Sequence, residues 1–164
     1  MLIDAATPDA GIADFSKTLP VGVNMADHYA SFAAKIEEYK MAIYQRTKKF
    51  TPNFMLVAPD VMPLIQFVPG FSAQQMTGFN GPYFAGTLSG LKVFVTPNIE
   101  AGKIVFGVNQ GAMEAACGIY APYMPVVPTQ LLGFADGGMS QGWSTMYDCK
   151  ILNADLLICG HVVA

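Results

Sequence analysis

The sequence predicts an α+β fold, with one long amphipathic helix placed ahead of a series of short strands. Three observations carry this. Met25, Tyr29, Phe32, Ile36, Tyr39 and Ile43 fall at spacings of 4, 3, 4, 3 and 4, which is a single helical stripe. Apolar runs of strand length then occupy 53–58, 91–95 and 103–108, each bounded by Pro, Gly or Asn. Beyond them the chain reads as extended, proline-broken over 118–130 and alternating over 143–163.

Residues 1–23 show no period and read as a loop that packs against something. The helix is expected over 24–49, with Asn24 and Asp27 at its N-terminus, Lys48 and Lys49 at the negative end of its dipole, and Pro52 beyond. Asn53 to Pro59 has the continuous apolar character of a buried strand. Asp60 is placed to cap a short helix in which Pro63 costs no hydrogen bond. Residues 69–90 hold Gly70, Gly78, Gly81, Gly86 and Gly90 among Gln74, Gln75, Thr77 and Asn80, and read as a long uncharged loop of the contact-making kind. Leu91–Val95 and Lys103–Val108 read as strands joined by a turn-rich link, and 110–116 as one or two helical turns ending at Gly118. In "GIYAPYMPVVPTQ", three prolines exclude helix and central strand, yet no charge solvates it. Asn153 to Asp155 is expected to turn the closing extended segment.

Composition narrows the function. The 164 residues fit one domain with room for a small satellite. Only 13% are charged while 52% are hydrophobic, with ten Met, eleven Phe and seven Tyr. A charge deficit of that size points to surfaces covered by other protein; a monomer with a neutral Gly/Ser/Thr/Gln surface is the alternative. Net charge is −3 and Arg46 is the single arginine, so no basic face for nucleic acid is predicted. No run approaches the ~20 apolar residues of a membrane span, and the N-terminus lacks the pattern of a secretory signal. Cys117, Cys149 and Cys159 have neither pairing nor metal-ligand spacing, so reduced thiols are the expectation.

No catalytic constellation emerges. His28 falls off the apolar stripe and is expected to be solvated. His161 shares a strand face with Cys159, but adjacency alone does not make a nucleophile. Glu37 and Glu38 are the wet face of the helix. Gly137 to Gly142, "GGMSQG", lacks the Lys-Ser/Thr ending of a phosphate loop. No cofactor and no metal site are predicted.

The order of pieces is familiar. "AIYQRTKKF" leads to "PNFMLVAPDVMPLI", "VPGF", a Gly-rich loop and "GTLSGLKVFVTPN"; "GKIVFGVNQG", a short helix, "GIYAPYMPVVP" and a closing strand complete it. This resembles the C-terminal portion of tailed-bacteriophage major capsid proteins with the Hong Kong 97-type fold, most of all the T-even-like branch. The shared features are Ala58-Pro59, Leu88-Ser89-Gly90 through Pro97, Phe106-Gly107 through Gly111, and Tyr120 through Pro125, of which the last is the most specific. The closing stretch reads Ser144-Thr145-Met146-Tyr147 where the family usually has a basic residue.

The resemblance, over roughly 24–164, implies an axial domain at 24–119 and peripheral-domain segments at 1–23 and 120–164. The N-terminal arm, extended loop and spine helix of such proteins have no counterpart in these residues. It implies a structural, non-enzymatic subunit of an icosahedral capsid, forming pentameric and hexameric capsomers around double-stranded DNA. Its partners would be copies of itself and other capsid or scaffolding proteins, with no specific nucleic-acid site and no membrane. It would reside in the virion after assembly in the host bacterial cytoplasm. Candidate subunit contacts are Phe71, Gln75, Phe79, Asn80 and Tyr83 in the Gly-rich loop, Asn98 in the 97–102 turn, and Tyr120, Tyr123 and Met124 in the crossover. Two other functions fit less of the sequence: the shell of a bacterial nanocompartment with the same fold, and a small Cys- or metal-dependent enzyme.

Overall fold

The computed structural model describes residues 14–74, 83–134 and 136–163. The predicted helix is there as α1, Met25–Thr47. It stops because Lys48 adopts a left-handed conformation, φ 54°, and donates its backbone N–H to the Tyr44 carbonyl at 2.7 Å. Phe32, Ile36, Tyr39 and Ile43 are buried along one side, as the stripe requires.

That side covers a seven-stranded mixed sheet. Its strands are β1 (Phe15–Ser16), β2 (Phe54–Val57), β3 (Ser72–Ala73), β4 (Tyr83–Leu88), β5 (Leu91–Val95), β6 (Lys103–Gly107) and β11 (Leu157–Val163), in the order β1-β11-β6-β2-β5-β4-β3. β2 is the axis of the sheet, parallel to β5 and antiparallel to β6. The strands at 91–95 and 103–107 are therefore not neighbours, because β2 lies between them. Alternation divides the strand residues between two faces. Met55, Val57, Leu91, Val93, Ile104, Phe106 and Ile158 join α1 and the short helix α2 (Met62–Gln66) in the main core. Val105, Leu157 and Cys159 form a second, smaller core on the other face.

Gly160 shows how closely α1 is seated. A Cβ there would lie 2.6 Å from Tyr39 Cζ, and the Tyr39 ring stacks on Phe106 at 5.1 Å between centroids. Gly160→Ala is expected to cost about 1–3 kcal/mol as an overpacked contact, readable as a lowered denaturation midpoint.

Several expectations need correction. Met25 starts the helix but is 60% exposed, since no described element packs over it. His28 is buried, not solvated. The preceding segment runs parallel to β11 as β1 and lays Phe15 over the helix start, 4.7 Å from the His28 ring and 4.7 Å from the Phe32 ring. Buried there, His28 Nε2 has no hydrogen-bond partner among the described residues. An unsatisfied buried group costs about 1–3 kcal/mol, so His28→Leu is expected to raise the thermal midpoint by about 2–4 °C. An unchanged or lower midpoint would mean that the imidazole is satisfied in solution.

Asn24 occupies the N-cap position but makes no side-chain cap bond. Asp60 does not cap α2, whose N-cap is Val61; its carboxylate instead accepts the Gly102 N–H at 2.8 Å and holds the 97–102 turn against the start of α2. The long loop over 69–90 is partly a hairpin, since β3 pairs with β4 and β4 with β5. Gly86, φ 153°, makes that possible: a Cβ would run into the Ser72 carbonyl oxygen. Residues 110–116 contain a single 3₁₀ turn, Met113–Ala115. Asn153 does turn the chain, its Oδ1 accepting the Asp155 N–H at 3.0 Å before a 3₁₀ turn at Ala154–Leu156.

Candidate assembly surfaces

The proline-broken segment is a strand after all: β7, Gly118–Pro128, paired antiparallel with β10, Trp143–Ile151. In a two-stranded ribbon each strand keeps one free edge, so Pro122, Pro125 and Pro128 can sit without removing ladder bonds. Register runs from Ile151↔Gly118 to Trp143↔Pro128, with irregularities on either side of Met146 that re-aim its neighbours. At the far end Thr129 fastens the ribbon. Its hydroxyl accepts the Gly142 N–H at 2.8 Å, and its backbone N–H donates to the Gly142 carbonyl at 2.8 Å. Beyond that clasp, β8 (Leu132–Gly133) pairs with β9 (Met139–Ser140) around a turn in which Asp136 Oδ1 accepts the Gly138 N–H at 3.1 Å.

The ribbon is a distinct surface. No residue from 118 to 134 is charged. Tyr120 and Tyr147 pair across the strands at 5.3 Å. Tyr123 is 86% exposed, Trp143 67% and Met139 75%, and Ile119, Val126 and Met146 are exposed too. An isolated two-stranded hairpin is at best marginally stable in water, and contiguous exposed apolar surface of this kind marks a protein contact site.

Of the predicted contact residues, Tyr120 and Tyr123 stand exposed on the ribbon. Met124 is half-buried opposite Met146, its carbonyl accepting the Thr145 hydroxyl at 3.1 Å. Tyr83 is exposed at the start of β4, and Asn98 is exposed in the 97–102 turn. Phe71 turns inward, half-buried against the main core. Gln75, Phe79 and Asn80 lie outside the described residues. Sequence reasoning missed Trp143, Met146 and Tyr147, as well as Leu131, Leu132 and Phe134 at the tip. The uncharged run continuing past Pro128 was the signal for the tip. Nothing in the sequence alone pairs 143–151 with 118–128.

The thiols and imidazole are set in packing. Cys159 Sγ lies 3.9 Å from His161 Nε2, but Cys159 is buried at 4% exposure within the second core. Burial pushes the Cys117 thiol up, against N–H groups of Cys117 and Gly118 that pull it down. A thiol held protonated is a poor nucleophile.

The family described as major capsid protein Gp23 matches residues 1–151. The chain belongs to that family. No curated protein matches it. Among solved structures, one from Mycobacterium phage Che8 is 11% identical with a TM-score of 0.56, covering 98% of this chain and 54% of that one. The holo-SrpI encapsulin complex of Synechococcus elongatus is 18% identical with a TM-score of 0.51, covering 79% of this chain and 48% of the other. The chain thus spans about half the length of the solved chains it matches. The fold is the Hong Kong 97-type shell fold that the motifs resembled, carried by a chain of the Gp23 major capsid protein family.

Proposed function

We propose that this Gp23-family chain builds the pentameric and hexameric capsomers of an icosahedral capsid enclosing double-stranded DNA, assembled in the cytoplasm of a bacterial host. The observation that carries the reading is the charge-poor ribbon, apolar and exposed, on a chain whose family is described as major capsid protein. A surface of that kind is at home only when another subunit covers it. In this reading 24–119 is the axial unit, and 1–23 and 120–164 are peripheral segments. β1 and β11 belong to the same sheet as the axial strands, so the ribbon between 118 and 151 is the part of the peripheral segments with a sheet of its own. Other capsid or scaffolding proteins would join the assembly.

A nanocompartment shell is the second reading, favoured by the encapsulin likeness. Electron microscopy of the purified full-length gene product from infected cells tests both. Icosahedral particles holding nuclease-protected double-stranded DNA are expected. Particles filled with protein and free of DNA would move the assignment to the nanocompartment, and the absence of any shell would sink both.

A further inference from the structure

We infer that the ribbon tip of one copy docks on the open half of the sheet of the next copy, with Asp136 meeting Lys92. This rests on the shell reading and adds to it the two surfaces that meet. Contacts that repeat around a ring are heterologous, so one chain must carry two unlike, complementary patches. The described residues supply both.

The receiving patch is the face of the sheet opposite α1. Over β6 and β11 that face is covered, with Ile99, Cys117 and Ile151 packed on Val105, Leu157 and Cys159. From β2 to β4 no such layer lies over it among the described residues. Phe54 and Leu56 on β2, Phe94 on β5 and Phe84 on β4 are only half-buried, with Phe84 and Phe94 5.3 Å apart between ring centroids. Register places Phe54 beside Lys92 and Leu56 beside Phe94. A groove of about 390 Å³ runs along them, and Lys92 is the one ionisable side chain lining it. Lys92 makes no ion pair among the described residues.

The donating patch is the tip. Leu131, Leu132, Phe134 and Met139 are each 57–75% exposed there. Asp136 is the sole charge among the described ribbon residues from 118 to 147, and it too forms no ion pair among the described residues. One apolar knob with a single anion and one apolar groove with a single cation are complementary in both shape and sign. The tip cannot serve its own groove. The base of the ribbon adjoins that groove at Phe54 and Asn109, which line both it and the hollow under Tyr120 and Cys149. Eleven residues of strand carry the tip roughly 35 Å along from there. The occupant is therefore a second copy.

Charge reversal in the full-length, shell-forming protein tests this, with assembled and unassembled fractions separated by sedimentation at fixed concentration. Lys92→Glu and Asp136→Lys are each expected to cut the assembled fraction about tenfold or more, because like charges then face each other across a contact repeated at every copy. Both variants should melt with the parent, being exposed. The double variant should return to within about threefold of the parent, since the pair is restored with its sign inverted. Single variants that assemble normally would overturn the docking while leaving the shell reading intact. So would a double variant that stays as defective as the singles, which would place the two residues in separate contacts. A parent protein that forms no shell would remove the shell reading and this inference with it.

Discussion

Ile36→Asp is expected to leave no soluble folded protein. Ile36 is 2% exposed at the centre of the α1 stripe, between Phe32 on one side and Tyr39 and Ile43 on the other. Losing that burial removes roughly 1.5–3 kcal/mol. The carboxylate does more damage, because the main core offers it no cationic partner on the stripe. An unpaired buried charge costs several kcal/mol more, or forces the group to stay protonated. The sum consumes most of the roughly 5–15 kcal/mol that holds a domain together. Ile36→Val calibrates the site, with an expected loss of about 0.5–1.5 kcal/mol and a cooperative transition. Soluble fraction and far-ultraviolet circular dichroism read both. Parent-like melting of Ile36→Asp would place the stripe on solvent and invalidate the packing of α1 on the sheet.

That prediction could be framed from sequence because a stripe at 3.6-residue spacing leaves one side to bury. The same holds for 54–57, 91–95 and 103–107, apolar runs too short for helices and closed by turn residues. Other features depend on partners distant in the chain. His28 is buried only because Phe15 returns beside β11, and nothing within 14–23 is periodic enough to announce that strand. β4 was hidden by Gly86, which in isolation argues for a loop and in place admits the Ser72 backbone. The insertion of β2 between β5 and β6 is a matter of topology that hydropathy does not encode. At the candidate site, the prolines of 118–128 correctly excluded a central strand. They said nothing against an outer strand of a two-stranded ribbon, so Tyr120 and Tyr123 were found, while Tyr147, which pairs with Tyr120, and Trp143, which lies opposite Pro128, were not.

Tyr123→Asp is expected to abolish shell formation while leaving the subunit folded. At 86% exposure the Tyr123 ring contributes little to the isolated chain, so the substitution should stay within about 0.5 kcal/mol, moving the thermal midpoint by no more than about 2 °C. Assembly reads the position differently. A tyrosine buried at the centre of a contact commonly contributes about 2 kcal/mol or more, and a carboxylate in its place would also have to be desolvated opposite apolar surface. A loss of about 2 kcal/mol is roughly thirtyfold in a single association constant. The contact recurs at every subunit of a closed ring, so the penalty compounds around it. Tyr123→Phe keeps the ring and the apolar area and should assemble with the parent, separating lost packing from a general intolerance of change at this site. Light scattering at micromolar concentration and electron microscopy of the full-length variants follow the outcome. Normal shells from Tyr123→Asp would show that this part of the ribbon faces solvent in the assembled particle, and the contact surface would then have to lie elsewhere on the chain.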